Sequence, residues 1–383
     1  MLTQVLQDHI HSKPTAQFTA DWDSFITLAK QHEVTAILYA QCKDFVPEPY
    51  LTDLQRYYST VLFFYANRRT MMERIDEALH EIPHFTIKGA AVAQYYPYPA
   101  YRTMGDTDIV IHREDREEAD RLLRGLGLEC VSSFDDREWQ YYRNDMEFEL
   151  HDHLVYSETV NVDAQEQYFN DFWKFVKDGE LDWNFHFMFL IFHLRKHFMN
   201  AGIGFRMFLD IAVLTSRGPE FDWNWIKTEL ETIGLWPFTE RVFALNEYWF
   251  DVKPPIAISP LSSSFLTNAT DLIEKNGIFG FDNEENAGNA AVNAARGAEN
   301  KRIAMCQRAL RGLFPSYRSV RAVPHYAYVD GRPYLLPVVW IHRAVRSIAK
   351  GRAGRNVKSV FNSSFADQAT MEKREAIYRE WGL

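Results

Sequence analysis

The stretch KGAAVAQYYPYPAYRTMGDTDIVI, residues 88–111, decides the fold of this chain. The letters HFTIK (84–88) lead into it and predict a short strand. Gly89 then opens a small helix that prolines stop, and TDIVI (107–111) predicts a second strand. Strands and a helix within so few residues indicate a small sheet in which the two kinds of element alternate.

The residues that follow extend this pattern. An acidic sequence over 113–127 ends in Gly and predicts a helix. A third strand is expected over 129–133 and a hairpin over 138–151, where Asn144-Asp145 makes a two-residue turn. We therefore expect an α+β fold, in which a small mixed sheet with helices on one face is combined with a larger all-helical region.

The rest of the chain divides by periodicity and composition. Apolar residues between Leu54 and Leu79 recur at helical spacing, which predicts an amphipathic helix with Arg68 on its charged side. Between 283 and 300 the sequence is rich in Asn, Ala and Gly and offers little to bury. We expect, in order, an N-terminal helical segment (1–82), the mixed sheet (83–155), a helical domain (156–280), a flexible linker (281–300) and a basic C-terminal segment (301–383).

Composition bounds the class of protein. The chain has 383 residues, of which 46% are hydrophobic and 25% charged, as in ordinary globular proteins. Its longest purely apolar stretch, Phe187–Phe192, is far shorter than the roughly 18 residues that a membrane-spanning helix needs. No signal-peptide pattern is apparent, and three widely spaced cysteines favour free thiols. We expect a cytoplasmic protein without a transmembrane segment.

The charge is distributed unevenly. The net charge is −10, yet residues 301–360 contain thirteen Lys or Arg and one acid. The acidic body disfavours nucleic acid as a partner, while the basic tail, with a helix expected after Pro337, suits contact with an anionic surface.

Carboxylates carry the first functional signal. Asp106 and Asp108 stand two residues apart at the start of a strand, so their side chains share a face and repel unless a cation neutralises them. A hard divalent cation such as Mg²⁺ fits such oxygen ligands. On the strand 146–151, Glu147 and Glu149 share one face, and either would complete a three-carboxylate cluster if this strand neighbours the first. Such a cluster suits transfer at phosphorus.

Donors for phosphate groups lie close by in the sequence. Lys88-Gly89, at a strand-to-helix turn, offers backbone N–H groups and a helix N-terminus, and Arg102 can hold phosphate oxygens bidentately. Farther on, His193 and His197 stand four apart, but HLRKH lacks the acid of a zinc HExxH pattern, so zinc is disfavoured.

The segment 83–155 resembles the catalytic core of the polymerase-β-like nucleotidyltransferase superfamily. More narrowly, it is similar to a bacterial family of uncharacterised nucleotidyltransferases, whose pattern is Lys-Gly, Tyr-Pro, Arg, Gly-Asp-x-Asp and acid-x-His. The residues that match are Lys88, Gly89, Tyr96, Pro97, Arg102, Gly105, Asp106, Asp108, Glu149 and His151. Where the superfamily commonly has Gly-Ser or Gly-Gly, Gly89 is followed here by Ala90, so the turn lacks a hydroxyl donor.

The resemblance implies an enzyme that moves a nucleoside monophosphate from an NTP, first of all ATP, to a hydroxyl or phosphate of an acceptor, with Mg²⁺ or Mn²⁺. It implies Asp106, Asp108 and Glu149 as catalytic metal ligands, with Glu149 preferred to Glu147. The nucleotide-binding residues that it implies are Lys88, Gly89, Arg102 and Gly105. Acceptor-side roles are expected for His151, His197, Arg206 and Asp210, because family members look similar at these positions.

Two other functions stay open at this point. One is a Mg²⁺-dependent phosphotransferase that acts on a small molecule, and the other is a non-catalytic module that binds nucleotide. The acceptor of a nucleotidyltransferase is equally open between an antibiotic-like small molecule, a sugar phosphate, a tRNA end and a protein side chain.

Overall fold

The computed structural model describes residues 1–134, 138–155, 163–200, 202–277, 300–317, 320, 324–349 and 368–383. The predicted linker 281–300 lies outside these residues except for Asn300. The Asn300 side chain accepts a hydrogen bond from the Ile303 N–H and so caps the helix that follows.

A mixed five-stranded sheet forms the predicted α+β core. Its strands are β1 (His84–Ile87), β2 (Asp108–Ile111), β3 (Glu129–Phe134), β4 (Glu138–Arg143) and β5 (Met146–His151), in the order β1-β2-β5-β4-β3. The β2–β5 pair is parallel and the other three pairs are antiparallel. The predicted hairpin is confirmed, with Asn144 and Asp145 at φ 48° and 60°, the left-handed backbone that a type I′ turn requires.

Helices make up most of the described chain. They are α1 (Leu2–Ile10), α2 (Trp22–Gln31), α3 (Thr35–Cys42), α4 (Glu48–Ala78), α5 (Lys88–Ala93), α6 (Arg116–Gly125), α7 (Asp163–Asn170), α8 (Trp183–Asn200), α9 (Phe205–Arg217), α10 (Trp223–Thr232), α11 (Trp236–Phe250), α12 (Ser263–Asn276), α13 (Lys301–Leu313), α14 (Leu336–Ala349) and α15 (Gln368–Glu380).

One face of the sheet is covered by α4 and α6. Ile109 and Ile111 on β2 alternate onto this face, as do Phe148 and Leu150 on β5, and all four are buried. The period of two leaves the polar residues of β5 on the opposite face. That face turns towards the helical body and carries the candidate site.

The helical body has an apolar core of its own, which reaches well beyond the predicted 156–280 segment. It includes buried residues of α1 to α3, of α8 to α12 and of the C-terminal helix α15. Trp381, just after α15, packs its ring 4.4 Å from that of Phe198 on α8. The five predicted segment boundaries stay predictions.

A small hairpin interrupts the region predicted as helical. β6 (Val176–Lys177) and β7 (Glu180–Leu181) pair around Asp178-Gly179, whose φ angles are 52° and 82°. Asp-Gly is a strong signal for such a turn. The two strands were not predicted, because they are short and lie in an aromatic-rich region whose pattern indicates helices.

The placement of Arg68 on the charged side of α4 was wrong. Arg68 is buried, and its guanidinium donates to the Thr107 hydroxyl at 2.7 Å, to the Gly105 carbonyl at 2.9 Å and to the Glu147 carbonyl at 3.1 Å. The spacing of three and seven from Met71 and Ile75 puts Arg68 on the buried stripe of the helix. Arg68 therefore supports the loop that precedes β2.

The predicted basic helix is present as α14. Its Ile341, Val345 and Ile348 are exposed, at 66%, 58% and 67%. None of the helices in the described part of the chain combines the length and apolar character that crossing a bilayer requires. Contact of the tail with an anionic surface stays a prediction.

Buried histidines should make the fold sensitive to mild acid. The His32 Nδ1 accepts a hydrogen bond from the Phe205 N–H at 3.1 Å, and burial lowers the pKa of His32 to about 4. Between pH 6.5 and pH 4 the unfolded chain therefore binds a proton that the folded chain does not, and stability is lost as the pH falls. His32 alone should lower the free energy of unfolding by about 2 kcal/mol between pH 7 and pH 5.

Urea unfolding at the two pH values tests this expectation. His32→Asn keeps an acceptor near the position of Nδ1 and does not titrate, so its stability should change less between pH 7 and pH 5 than that of the wild type. His80→Asn, at an exposed histidine, serves as the control and should keep the wild-type pH dependence. An unchanged pH dependence in His32→Asn would contradict the assignment.

Candidate active site

The parallel pairing of β2 and β5 brings three metal-ligating side chains together. Asp108 stands opposite Glu149 in the register, and His151 lies two residues further along β5. His151 Nε2 is 2.9 Å from Asp108 Oδ1 and 3.4 Å from Glu149 Oε2. One ligand atom from each of these residues lies within 4.8 Å of the others. We call Asp108, Glu149 and His151 the carboxylate–histidine group.

Two neighbouring carboxylates repel each other unless a positive charge lies beside them, and the Lys88 ammonium group is such a charge. Its Nζ is 2.5 Å from Asp108 Oδ1. Its backbone lies in the left-handed region at φ 55°, and its N–H donates to His186 Nε2 at 3.0 Å. Burial lowers the pKa of His186 to about 3, so this histidine is neutral and its Nε2 is free to accept. His186, on α8, thus fixes the turn from which the Lys88 side chain reaches Asp108.

The charged side chains of the carboxylate–histidine group and Lys88 shift one another's pKa values. Burial raises the pKa of Asp108, but Lys88 and then His151 outweigh it and hold that pKa well below its usual range. Burial lowers the pKa of His151, but hydrogen bonds to Asp108 and Glu149 outweigh it and raise the pKa to about 9. Burial raises the pKa of Glu149, but His151 and Lys88 bring it below its ordinary value. Both carboxyl groups are therefore ionised at neutral pH.

The two remaining candidate acids lie outside this tight group. Asp106 precedes β2, and burial and the charge of Asp108 together raise its pKa above its ordinary value. The Glu147 carboxyl accepts a hydrogen bond from the Tyr142 hydroxyl, and its pKa is also raised, chiefly by burial. Asp106 is close enough for the charges of Lys88 and Glu149 to act on its pKa. Its role as a metal ligand stays a prediction.

The donor set of the carboxylate–histidine group fits a divalent cation. Two ionised carboxylates provide the hard oxygen ligands that Mg²⁺ and Mn²⁺ prefer. The raised pKa keeps His151 protonated at neutral pH, so its ring nitrogen can bind Mn²⁺ only when the ring gives up that proton to solvent. Glu149 Oε1 also accepts a hydrogen bond from Gln140 Nε2 at 3.1 Å, which holds the carboxylate in place. Asp108, Glu149 and His151 are thus the residues that could hold the ion.

Arg102 occupies a different position from the one expected of a phosphate ligand. Its Nη2 is 2.6 Å and its Nε 3.1 Å from the two carboxylate oxygens of Asp210, which also accepts from the Tyr96 hydroxyl at 2.6 Å. Its Nη1 donates to the Thr103 carbonyl. The pair is buried and ties the loop before β2 to α9. A phosphate contact by Arg102 stays a prediction.

Gly89 should be intolerant of a side chain because of this pair. A Cβ at residue 89 would lie 2.2 Å from Arg102 Nη1 and 2.7 Å from its Cζ. Gly89→Ala should therefore displace a guanidinium that a buried carboxylate holds and lower the free energy of unfolding by about 3 kcal/mol. Gly105→Ala is the matched control, since a Cβ there meets no atom within 4 Å.

Thermal and urea unfolding of both variants measure the difference. Equal stabilities for Gly89→Ala and Gly105→Ala would show that the Arg102 side chain moves aside without cost.

The comparison with protein families agrees with this geometry. A family model described as an uncharacterised nucleotidyltransferase matches residues 19–251, which is more than half of the chain. The chain belongs to this nucleotidyltransferase family. A comparison with curated proteins and one with solved structures gave no match.

Membership supports nucleotidyl transfer as the general activity and thereby supports a transferase. The matched range covers the sheet and extends from α2 to the end of α11. It therefore includes the segment 83–155 and the helices of the helical body from α2 to α11, but not α1, α12 or α15. The α+β architecture fits this family.

The structure separates the residues expected on the acceptor side of this nucleotidyltransferase. His151 lies inside the carboxylate–histidine group. The His197 ring packs 4.4 Å from that of His193, and burial lowers the pKa of His197 to about 4. Arg206 contacts Glu33 and donates to the Thr103 carbonyl at 2.9 Å, while Asp210 holds Arg102. Their acceptor roles stay predictions.

Three residues near the site were missed in the sequence. Arg68 supports the loop before β2, His186 accepts from the Lys88 N–H, and Lys196 on α8 lies where the charges of Asp108 and Glu149 affect its pKa. Helical spacing offered a signal for one of them, because His186 falls on the same face of α8 as His193 and His197.

A cavity of about 330 Å³ lies beside the loop before β2, between that loop and α4. It is lined by Tyr57, Phe64 and Tyr65 on α4 and by Arg102 and Gly105 on the loop. The carboxylate–histidine group is not part of its lining, so this cavity carries no argument about the transfer itself.

Proposed function

We propose that this nucleotidyltransferase moves a nucleoside monophosphate from an NTP, first of all ATP, to a hydroxyl or phosphate group of an acceptor. One observation carries the proposal: two ionised carboxylates and an imidazole converge within 4.8 Å on paired strands, with the Lys88 ammonium beside them. This arrangement suits a substrate that brings both a divalent cation and phosphate groups.

Asp108, Glu149 and His151 would hold the cation, with Asp106 beside them as a further ligand. When bound, a Mg²⁺ or Mn²⁺ ion neutralises charge on the phosphates and lowers the pKa of an attacking hydroxyl. We assign Glu149 as the acceptor of the proton that this hydroxyl loses, because its carboxylate is ionised at neutral pH and belongs to the group that would hold the cation.

Phosphate binding is assigned first to Lys88. Its ammonium can exchange Asp108 for a phosphate oxygen by a small side-chain movement, and its turn is fixed by His186. Gly89 and Gly105 flank this region, and Arg102 acts by holding the loop before β2 against α9. In the balanced reaction, the acceptor oxygen bonds to the α-phosphorus, the bond between the α-phosphorus and the bridging oxygen breaks, and pyrophosphate leaves.

Doubly labelled ATP tests the reaction. The purified protein is incubated with Mg²⁺ or Mn²⁺, a pool of candidate acceptors, and either [α-³²P]ATP or [γ-³²P]ATP. We expect label from the α-position to enter a product with release of pyrophosphate, and Glu149→Gln to abolish it. Transfer of the γ-label would indicate the phosphotransferase instead. Calorimetric ATP binding without any transfer across broad acceptor pools would favour the non-catalytic module.

A further inference from the structure

The exposed apolar side chains of this protein are concentrated towards its C-terminus. Eight of the fourteen large hydrophobic residues that are exposed in the described part of the chain lie between residues 303 and 348. They are Ile303, Leu310, Phe314, Tyr334, Val338, Ile341, Val345 and Ile348. Single exposed apolar residues are normal on a protein surface, whereas a contiguous group of them marks an interaction surface.

The exposed aliphatic residues of α14 form such a contiguous group. They follow one another at spacings of three, four and three, which puts them on one side of the helix. They are Val338, Ile341, Val345 and Ile348, and we call them the α14 stripe. With a rise of about 1.5 Å per residue, the stripe is roughly 15 Å long. Ala344, on the same side, is exposed as well, so no charged residue interrupts the stripe.

Contacts on the other side of α14 fix the direction in which the stripe points. Val339 is fully buried in a small apolar core that includes Tyr326 and Val329. Trp340 Nε1 donates a hydrogen bond to the Pro315 carbonyl at 3.1 Å. The side of α14 that carries Val339 is therefore packed against its own segment, and the α14 stripe faces outward.

The segment that carries the stripe is strongly cationic. Residues 301–360 contain thirteen Lys or Arg and a single acid, Asp330, although the whole chain has a net charge of −10. Two such segments from different copies of the chain would repel each other, whereas a surface of negative charge would attract the segment. The partner that fits this region is therefore both anionic and able to take up aliphatic side chains.

We propose that α14 binds an anionic lipid surface, with the α14 stripe at the boundary between headgroups and acyl chains and the cationic segment near the headgroups. Acyl chains accept an aliphatic stripe without a matching pocket, and anionic headgroups attract the Lys and Arg side chains. Tyr334, exposed just before α14, has the amphipathic ring that suits the level of the headgroups. Lipid binding by α14 would not depend on nucleotidyl transfer.

Other partners use these features less well. A nucleic acid would be attracted by the positive charges but would leave the aliphatic stripe in water. Binding energy at protein–protein interfaces comes mainly from Trp, Tyr and Arg side chains that fill pockets, and the stripe has none of them. A second copy of the chain could bring its acidic part to the cationic segment, so self-association is the alternative that the experiment has to separate.

Flotation of the purified protein with vesicles tests the proposal. We expect the wild type to bind vesicles of equal parts phosphatidylglycerol and phosphatidylcholine at least about tenfold more strongly than pure phosphatidylcholine. Ile341→Gln/Val345→Gln should weaken binding to the anionic vesicles at least about tenfold, because two aliphatic side chains no longer enter the lipid. Phe63→Gln is the control, since Phe63 is 65% exposed but lies on α4, outside the cationic segment, and its loss should leave binding unchanged.

The other outcomes would overturn the proposal. They are a wild type that does not bind the anionic vesicles, equal binding to both kinds of vesicle, and binding that survives in Ile341→Gln/Val345→Gln. A dimer in sedimentation velocity that these substitutions dissociate, without vesicle binding, would show that a second copy covers the stripe instead. Thermal unfolding shows whether the variant is folded, and Val338→Gln/Ile348→Gln provides a second pair on the same stripe.

Discussion

Replacement of Glu149 by glutamine should lower kcat for nucleotidyl transfer by about three orders of magnitude, whereas Glu147→Gln should change kcat less than about threefold. The Glu149 carboxylate is ionised and belongs to the carboxylate–histidine group. Glutamine at position 149 carries no charge, so one of the two charges that can hold a cation is lost. Its side-chain amide also cannot accept a proton. The Glu147 carboxyl instead bonds to Tyr142 and lies outside the group.

Single-turnover measurements with enzyme in excess over [α-³²P]ATP separate the chemical step from product release. NTP affinity should largely survive in Glu149→Gln, because Lys88 and Asp108 remain. Before an acceptor is known, electron paramagnetic resonance of Mn²⁺ gives a parallel test, in which Glu149→Gln weakens cation binding and Glu147→Gln does not. An inactive Glu147→Gln beside an active Glu149→Gln would reverse the assignment.

The double variant Asp106→Asn/Asp108→Asn should lose Mg²⁺-dependent binding of ATP altogether. The two single substitutions should differ in their effect on the free energy of unfolding. Burial and the charge of Asp108 raise the pKa of Asp106, so Asp106→Asn relieves repulsion and should leave stability unchanged or improved. Asp108→Asn leaves Lys88 and His151 without their common partner and should lower the free energy of unfolding by about 3 kcal/mol.

Calorimetry with ATP and Mg²⁺, together with urea unfolding of each single variant, provides the two measurements. The Asp53→Asn variant is a suitable control, because Asp53 is an exposed acid on α4 whose ion pair with Arg56 lies at the surface. Wild-type ATP affinity in the double variant would show that the site lies elsewhere. A destabilised Asp106→Asn would show that its charge has a partner of its own.

The sheet and the main carboxylates could be predicted because their signals are local. The alternation along β5 puts Phe148 and Leu150 on one face and Glu149 and His151 on the other, and the structure has this arrangement. The turn residues Asn144-Asp145 fix the register of the hairpin. The pairing of β2 with β5 can be inferred if Asp108 and Glu149 are to bind the same cation, because their strands must then be neighbours.

The contacts that support the site could not be predicted in the same way. Arg68 bonds to Thr107 over 39 residues, and Arg102 bonds to Asp210 over 108 residues. No periodicity links such partners, and an arginine near phosphate-binding motifs suits a phosphate as well as a carboxylate. The preference for Glu149 over Glu147 came from the resemblance, because both glutamates lie on one face of β5 and their alternation is identical.

The buried pair of Arg102 and Asp210 limits how this protein can be divided or recombined. A fragment confined to residues 83–155 would keep the guanidinium and lose its carboxylate, at a cost of roughly 3–5 kcal/mol. A chimera in which this segment is exchanged between relatives would separate the same two side chains from their native partners unless α9 is exchanged together with it. A transplanted part of the chain therefore has to keep α9 together with the sheet, and it also has to keep α4, whose Arg68 supports the same loop.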